Sequence, residues 1–166
     1  LPNYSEFYEK RWFASAQDLH DTPLCYAGED VLLTARRQLF HTYGDARFGI
    51  EICEDVWAPN PPSTELALSG ADIIFNLSAS DELIGKHDYL INLLRQQSAR
   101  NISGYVYSGC GYGESTQDVV YGGNALIIEN GRLIKQSDRF SLEPQLVVSQ
   151  IDIDRLRAER RSNSTY

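Results

Sequence analysis

The first clear strand in the pattern of apolar and polar residues lies at residues 47–53. Phe48, Ile50 and Ile52 fall on one face of this strand, and the residues between them fall on the other. The run ends on Cys53 and then enters a turn rich in proline. The pattern therefore places a thiol at the carboxyl end of a strand.

Helices and strands alternate through the rest of the pattern. Ser63 is placed to cap a helix that Gly70 ends, and residues 72–77 form an almost continuous apolar run, typical of a strand buried on both faces. Leucines at helical spacing predict an amphipathic helix at residues 86–101. The other predicted elements are an extended segment at 31–43, strands at 103–108 and 146–151, a hairpin of 125–129 and 132–136 around Asn130-Gly131, and a terminal helix with solvated arginines at 152–161. This order predicts an α/β domain whose helices pack on a mixed sheet.

The composition describes one ordinary globular domain that acts on small molecules. With 166 residues, 42% of them hydrophobic, the chain is long enough to bury a core. No apolar stretch approaches the roughly 20 residues that span a bilayer. A net charge of -8 argues against a nucleic-acid surface. We therefore expect no membrane and no nucleic-acid partner.

The three cysteines are Cys25, Cys53 and Cys110, which are widely spaced and odd in number. This spacing fits neither a disulfide framework nor a zinc site, and it favours a reducing cytosol. The histidines also lack the spacing of metal ligands, so we expect no metal. Cys25 and Cys110 are interpreted as small packed hydrophobic residues.

Cys53 is the candidate nucleophile, because the carboxyl end of a buried strand is where open α/β folds place reactive groups. The alternative is that this thiol, too, is only a packed side chain. Glu51 and Glu54 lie close to it in sequence and would disfavour its thiolate by charge repulsion. A nucleophilic role for Cys53 therefore requires a lysine nearby.

Residues 49–57 read Gly-Ile-Glu-Ile-Cys-Glu-Asp-Val-Trp, a segment that resembles the nucleophile segment of the nitrilase (carbon–nitrogen hydrolase) superfamily. Four further segments resemble more narrowly the glutaminase domain of glutamine-dependent NAD synthetases: residues 1–9, 111–116, 121–124 and 156–161. The resemblance covers nearly the whole chain. It implies an αββα sandwich with mixed sheets, whose N-terminal part is missing here.

The resemblance also implies a division of the chain. Residues 1–151 would be a partial glutaminase domain, and residues 152–166 would begin a linker to a synthetase domain. In that family the glutaminase passes ammonia to the synthetase domain, which uses ATP and Mg to convert deamido-NAD to NAD. No cofactor is expected in the glutaminase domain itself. The implied partners are glutamine and the synthetase domain of the same chain, in a cytoplasmic homo-oligomer.

The family hydrolyses glutamine through a thioester, with a Glu–Lys–Cys triad and a second glutamate. The resemblance matches Cys53 to the nucleophile and Glu6 to the second glutamate. The family's lysine and its general-base glutamate match no residue here and would precede Leu1. We therefore expect the isolated chain to be inactive or very weak, because neither the thiolate nor the oxyanion would be stabilised by charge.

Three positions match the residues that hold glutamine in the family: Tyr4, Ser80 and Lys86. Lys86 is suited to pair with the carboxylate of an amino acid, and Ser80 is suited to hydrogen-bond it. The alternatives are an exposed first-turn lysine, a serine that ends a loop, and a tyrosine that only packs. Glu54 is a candidate oxyanion donor through its backbone N–H, and Trp57 is a candidate pocket wall.

Two other functions stay open on the sequence alone. One is a stand-alone nitrilase-type amidase that acts on another small amide, which the resemblance at both ends of the chain disfavours. The other is a non-catalytic assembly module, since this sandwich commonly self-associates and a copy without the full triad could serve only in assembly.

Overall fold

The computed structural model describes residues 7–114 and 118–166. This part of the chain divides into two compact units, with the boundary between Gln38 and Leu39. None of the described helices is long and apolar enough to cross a membrane.

The first unit is built around a β-hairpin. Its elements are α1 (Glu9–Trp12), a 3-10 turn (Ala16–Asp18), β1 (Thr22–Tyr26) and β2 (Glu29–Leu33). The two strands pair antiparallel, and Ala27 and Gly28 at positive φ form the turn between them. The extended segment expected at residues 31–43 is confirmed only in part, and β1 escaped prediction because Pro23 interrupts its strand signal. Cys25 lies exposed on β1, so its interpretation as a packed residue is wrong.

The second unit is a six-stranded mixed sheet with helices packed on it. Its strands, side by side in this order, are β3 (Phe40–His41), β4 (Arg47–Ile52), β5 (Ile73–Ser78), β6 (Gly104–Gly109), β7 (Ala125–Glu129) and β8 (Arg132–Gln136). Its helices are a 3-10 helix (Cys53–Trp57), α2 (Pro62–Leu68), α3 (Lys86–Asn101) and α4 (Ile153–Ser162). β4, β5 and β6 run parallel, and the other neighbouring pairs run antiparallel. The expected α/β architecture with a mixed sheet is confirmed.

The three parallel strands bring their carboxyl ends to one edge of the sheet. Ile52 of β4 pairs with Leu77 of β5, and Ser78 of β5 pairs with Gly109 of β6. Cys53 and the loops that follow β5 and β6 therefore lie at the same edge. We call it the carboxyl edge.

The core lies on the face of the sheet that α2 and α3 cover. Gly49 lets Leu66 of α2 lie directly on β4, because a Cβ at Gly49 would come within 2.7 Å of the Leu66 side chain. Ile50 and Ile52, which alternate with Gly49 along β4, are exposed on the other face. The predicted alternation is confirmed, with the glycine and the glutamate of this strand on the buried face.

Three further predictions from the pattern are confirmed. The amphipathic helix predicted at residues 86–101 is α3, and the strand predicted at residues 72–77 is β5 within one residue. Its expected burial on both faces is wrong, because Ile74 and Asn76 are buried on one face whereas Leu77 on the other is 52% exposed. The hairpin between β7 and β8 turns at Asn130 and Gly131, whose φ angles are +45° and +80°. Such left-handed angles are what a two-residue hairpin turn requires.

The start of α2 differs from its prediction. Pro61 is the N-cap residue and Pro62 begins the helix, so the prediction that Ser63 caps it is wrong. Proline fits the first helical turn because its ring fixes φ near the helical value and it has no N–H to satisfy. The Ser63 N–H is instead donated to the Glu51 carboxylate at 2.8 Å.

The prediction of a strand at residues 146–151 is also wrong, because these residues form no strand. Leu146 and Val148 are exposed, while Ile151 packs over Gly104 of β6. Apolar residues at the right spacing are not sufficient, since a strand also needs a neighbouring backbone to hydrogen-bond.

Helix α4 is fastened to the second unit by two arginines. Arg157 donates to the Asp72 carboxylate at 2.7 and 2.9 Å and pairs with Asp45 at 2.9 Å. Arg160 donates to three backbone carbonyls. The expectation that the arginines of this helix are solvated is therefore wrong for these two. The domain boundary after residue 151 stays a prediction.

Two of the buried carboxyl groups, those of Asp72 and Glu51, have pKa values that shift in opposite directions. Burial alone would raise the pKa of Asp72, but hydrogen bonds from Arg157 and a backbone N–H outweigh burial and hold it below its ordinary value of 3.8. Burial raises the pKa of Glu51 above its ordinary value of 4.5, and hydrogen bonds from Tyr105 and Ser63 offset only part of that effect. Asp72 is thus stabilised as an anion, while Glu51 is not.

Replacing Arg157 with alanine will lower the free energy of unfolding by about 3 kcal/mol, because it leaves the buried Asp72 carboxylate without its cation. The measurement is urea unfolding at neutral pH. Arg161→Ala, at an exposed position of the same helix, is the control and will change the stability by less than about 0.5 kcal/mol. Equal losses in the two variants would contradict the role given to Arg157.

Replacing Glu51 with glutamine will change how stability depends on pH. A raised pKa in the folded state stabilises the fold fully below the ordinary pKa, and this contribution is lost as pH rises through the folded value. The stability of the wild type relative to Glu51→Gln will therefore fall as pH rises above 4.5, the ordinary pKa of the group. Urea unfolding across this range measures the difference, with the exposed Glu143→Gln as background. A difference that is flat or rises with pH would contradict the shift.

Candidate active site at the carboxyl edge

Cys53 begins the 3-10 helix after β4 in a backbone conformation that residues with a side chain rarely adopt. Its φ is +45°, which costs a non-glycine residue about 1–3 kcal/mol. Two hydrogen bonds hold the backbone at this turn. The Asp55 carboxylate accepts from the Ile52 N–H at 2.8 Å, and the Asn76 amide donates to the Cys53 carbonyl at 3.4 Å. The cysteine itself is half-buried. The predicted position of Cys53 at the end of a strand is confirmed.

Tyr107 of β6 lies at the carboxyl edge beside two serines of the β5 strand and loop. Its side chain is buried, and its hydroxyl is hydrogen-bonded with Ser78 and Ser80. Burial raises the pKa of Tyr107 to about 12, and the negative charge of a Cys53 thiolate adds to the effect. The hydroxyl therefore keeps its proton at neutral pH. Sequence analysis missed this residue, although the alternation of β6 places it on the same face as the fully buried Tyr105.

Lys86 is the first residue of α3 and is held by two neighbours. Its Nζ lies 2.7 Å from the Asp81 carboxylate and 5.7 Å from the centre of the Trp57 ring. Trp57 in turn stacks on Tyr89, with ring centroids 5.4 Å apart. The Lys86 side chain is only 21% exposed, so the alternative of an exposed first-turn lysine does not describe it. Asp81 was not found by sequence analysis, since an acid in a loop carries no periodic signal.

Two cavities adjoin along the loop after β5. The narrow one, of about 10 Å³, is lined by Ser80, Asp81, Glu82, Lys86, His87, Leu90, Tyr107 and Asn124. The other, of about 430 Å³, is lined by Glu82, Leu83, Ile84, Gly85, His87, Asp88, Val120, Arg139 and Phe140. Glu82, which borders both, accepts from Asn124 at 2.6 Å and from Arg139 at 2.8 Å. The first space has the size of one water molecule, and the second has the size of a small-ligand pocket.

Cys110 begins the loop after β6, at the same edge of the sheet as Cys53. Burial raises the pKa of Cys110, and the charges of Glu114 and Cys53 add to the effect. A thiol with a raised pKa is a poor nucleophile at neutral pH. Cys110 is therefore not a second candidate for the reacting sulfur.

The structure describes five of the predicted site residues. They lie at the carboxyl edge or directly beside it: Cys53, Glu54, Trp57, Ser80 and Lys86. Glu54 is half-buried in the 3-10 helix, and its role as an oxyanion donor stays a prediction. Tyr4 and Glu6 lie outside the described residues.

The chemistry of this edge is that of a thiol beside hydroxyl donors and a cation. Cys53 offers a nucleophile, Tyr107 and Ser80 offer hydroxyl groups, and Lys86 offers a positive charge to an anionic substrate group. Within residues 7–114 and 118–166, no group of three or more His, Cys, Asp or Glu side chains could hold a metal ion.

The sequence profile of the carbon-nitrogen hydrolases matches residues 4–161. The glutamine-dependent NAD(+) synthetase of Mycobacterium leprae is 38% identical over 174 residues, which cover 100% of this chain and 24% of that protein. The human glutamine-dependent NAD(+) synthetase is 27% identical over 184 residues, which cover 99% of this chain and 24% of that protein. The chain thus spans about a quarter of the length of these curated relatives.

Solved structures share the fold of the chain. A glutamine-dependent NAD(+) synthetase from Cytophaga hutchinsonii matches 86% of this chain and 22% of that chain, with a TM-score of 0.71 and 31% identity. A carbon-nitrogen hydrolase from Helicobacter pylori G27 matches 97% of this chain and 53% of its own, with a TM-score of 0.69 and 19% identity, which shows the fold alone. The expected nitrilase-type fold is confirmed. The profile that spans residues 4–161, together with this fold, shows that the chain belongs to the carbon–nitrogen hydrolase family.

Proposed function

We propose that this chain is the glutamine-hydrolysing part of a glutamine-dependent NAD synthetase. The proposal is carried by one arrangement, in which Cys53 after β4 and Ser80 after β5 lie at the same carboxyl edge as Tyr107 of β6. Lys86 lies beside Trp57, on the helix that follows the Ser80 loop. The 38% identity to a glutamine-dependent NAD(+) synthetase across the chain supports the choice of substrate.

The reaction at Cys53 is an amide hydrolysis in two steps. The sulfur attacks the side-chain amide carbon of glutamine while the thiol proton passes to a general base. The carbon–nitrogen bond then breaks, and the nitrogen takes up a proton and leaves as ammonia. Water attacks the resulting thioester, the carbon–sulfur bond breaks, and glutamate leaves as the sulfur regains a proton. The Glu54 N–H, next to the nucleophile, donates to the oxyanion.

Glutamine is recognised through its charged end. The Lys86 ammonium pairs with the α-carboxylate, and the Ser80 hydroxyl adds a hydrogen bond. Asp81 holds the ammonium in place through its 2.7 Å contact. Trp57 forms a wall of the pocket beside Lys86, and the resemblance assigns the approach to Tyr4.

Two groups of the family's catalytic machinery have no counterpart in these residues. The activating lysine and the general-base glutamate would come from a part of the protein outside this chain, which spans 24% of the length of its relative. Glu6 would position that lysine and the attacking water. The isolated 166 residues would then be inactive or very weak.

The whole protein would pass the ammonia to a synthetase domain in the same chain. That domain would use ATP and Mg to amidate deamido-NAD, while the glutaminase part would hold no cofactor. Residues 152–166 would lead toward it, and the protein would work as a homo-oligomer in the cytoplasm. Three free cysteines fit such a reducing compartment.

A glutamine-mimicking diazoketone will label the intact protein, extended upstream of Leu1, at Cys53. The nucleophile attacks the reagent's electrophilic carbon in place of the amide, and nitrogen is lost, so the adduct is covalent. Intact-mass measurement detects it, and peptide mapping locates it. Cys53→Ala will not label, whereas Cys110→Ala will label like the wild type. Absence of label in the folded, extended protein would refute the glutaminase function and favour another amide or an assembly role.

Replacing Lys86 with methionine will raise the half-saturating glutamine concentration by about 10–100-fold, because a hydrogen bond to a charged group is lost. The measurement is ammonia release as a function of glutamine concentration in the intact protein. Lys86→Arg keeps the charge and will stay within about 3-fold of the wild type. The exposed Lys135→Met is the control and will change nothing. An unchanged half-saturating concentration in Lys86→Met would contradict the assignment.

A further inference from the structure

A chain of buried hydrogen bonds runs beneath Cys53 on the helix-covered side of the sheet. Its members are Glu51 of β4, Asn76 of β5 and Tyr105 of β6, each at most 1% exposed. The Glu51 carboxylate accepts from the Tyr105 hydroxyl and, at 2.8 Å, from the Ser63 N–H. Three neighbouring strands thus each contribute one polar side chain to the interior.

Asn76 connects this chain of hydrogen bonds to the backbone of the nucleophile. Its side-chain nitrogen donates to the Tyr105 hydroxyl oxygen at 3.3 Å and to the Cys53 carbonyl at 3.4 Å. Its side-chain oxygen accepts from the Ser78 hydroxyl at 2.6 Å, which fixes the way the amide faces. A change at Glu51 therefore reaches the Cys53 carbonyl through consecutive hydrogen bonds.

The directions of these hydrogen bonds follow from the Cys53 carbonyl, which can only accept. Asn76 therefore turns its nitrogen toward Cys53 and Tyr105. Tyr105 accepts from Asn76 and donates its single proton to Glu51. A side chain at position 51 that donates would compete with Asn76 for the Tyr105 oxygen.

We propose that Glu51 is a positioning residue for the nucleophile, acting through Tyr105 and Asn76 to hold the left-handed turn at Cys53. The proposal rests on the proposed glutaminase function, since it concerns the placement of the attacking sulfur. A φ of +45° persists only where the surrounding structure holds it. A small displacement of the sulfur slows attack and leaves substrate binding elsewhere in the site intact.

A role in packing alone would give a different outcome. Burying a carboxyl group is costly, and burial does raise the pKa of Glu51. A glutamine fills nearly the same space without that cost. If Glu51 served only to fill the core, its replacement by glutamine would therefore leave hydrolysis unchanged.

The test compares Glu51→Gln and Tyr105→Phe with the wild type in the intact protein. Glutamine at position 51 keeps its oxygen on the Ser63 N–H and so turns its NH2 group, a donor, toward Tyr105. Phenylalanine at position 105 removes the hydroxyl that joins Glu51 to Asn76. In each variant kcat for glutamine hydrolysis will fall by about 10–100-fold while KM stays within about 2-fold. Labelling of Cys53 by the diazoketone will slow in proportion, and alkylation by iodoacetamide will change by less than about 3-fold.

Tyr166→Phe is the matched control. The Tyr166 hydroxyl is buried and has no hydrogen-bond partner among the described residues, so its loss tests the removal of a buried hydroxyl by itself. This variant will keep the wild-type kcat and labelling rate. Thermal melting of all variants identifies those that fold, and Glu51→Gln, which is nearly isosteric, decides the question if Tyr105→Phe does not fold.

The outcomes separate two kinds of failure. A wild-type protein that does not label at Cys53 refutes the glutaminase function, and the positioning role falls with it. A wild type that labels, with a folded Glu51→Gln variant that keeps its kcat within about 2-fold, overturns the positioning role alone. Equal loss of diazoketone and iodoacetamide reactivity would also overturn it, because that result indicates general damage around Cys53.

Discussion

The parallel alignment of β4, β5 and β6 is the constraint on which the rest of the structure depends. Hydrogen bonding sets Ile52 opposite Leu77 and Ser78 opposite Gly109, so the chain leaves three neighbouring strands at one edge. Every described residue of the candidate site lies in the turn, strands or loops at that edge, or on the first turn of α3. Parallel strands need long crossover connections, and α2 and α3 supply them while covering the core face.

Burying acidic groups in so small a core is energetically unfavourable, and two different sets of contacts offset this. Asp72, just before β5, is kept charged by Arg157 and thereby fastens α4 to the sheet. Glu51 is held by a hydroxyl and a backbone N–H, and its pKa is raised by burial. The Asp72 carboxylate stabilises the second unit. The Glu51 carboxylate lies directly beneath Cys53, where its hydrogen bonds reach the backbone of the site.

The Lys86 cation at the carboxyl edge is held between an acid and an aromatic ring. Its ammonium contacts Asp81 at 2.7 Å and lies over Trp57. In the proposed function, activation of the thiol therefore falls to the lysine of the family's triad, and Lys86 is left to recognise the substrate.

The sequence by itself determined the local elements and the place of the thiol: the strand that ends at Cys53, the helix at 86–101 and the hairpin at Asn130. Periodicity and turn chemistry act over a few residues, so they can be read from a short window. Tertiary structure alone decided that 146–151 forms no strand, that Arg157 reaches Asp72, and which residues surround Cys53. Glu51 and Tyr105 are 54 positions apart and meet only because β5 brings β4 and β6 together. Contacts of that range depend on strand pairing, which no local pattern encodes.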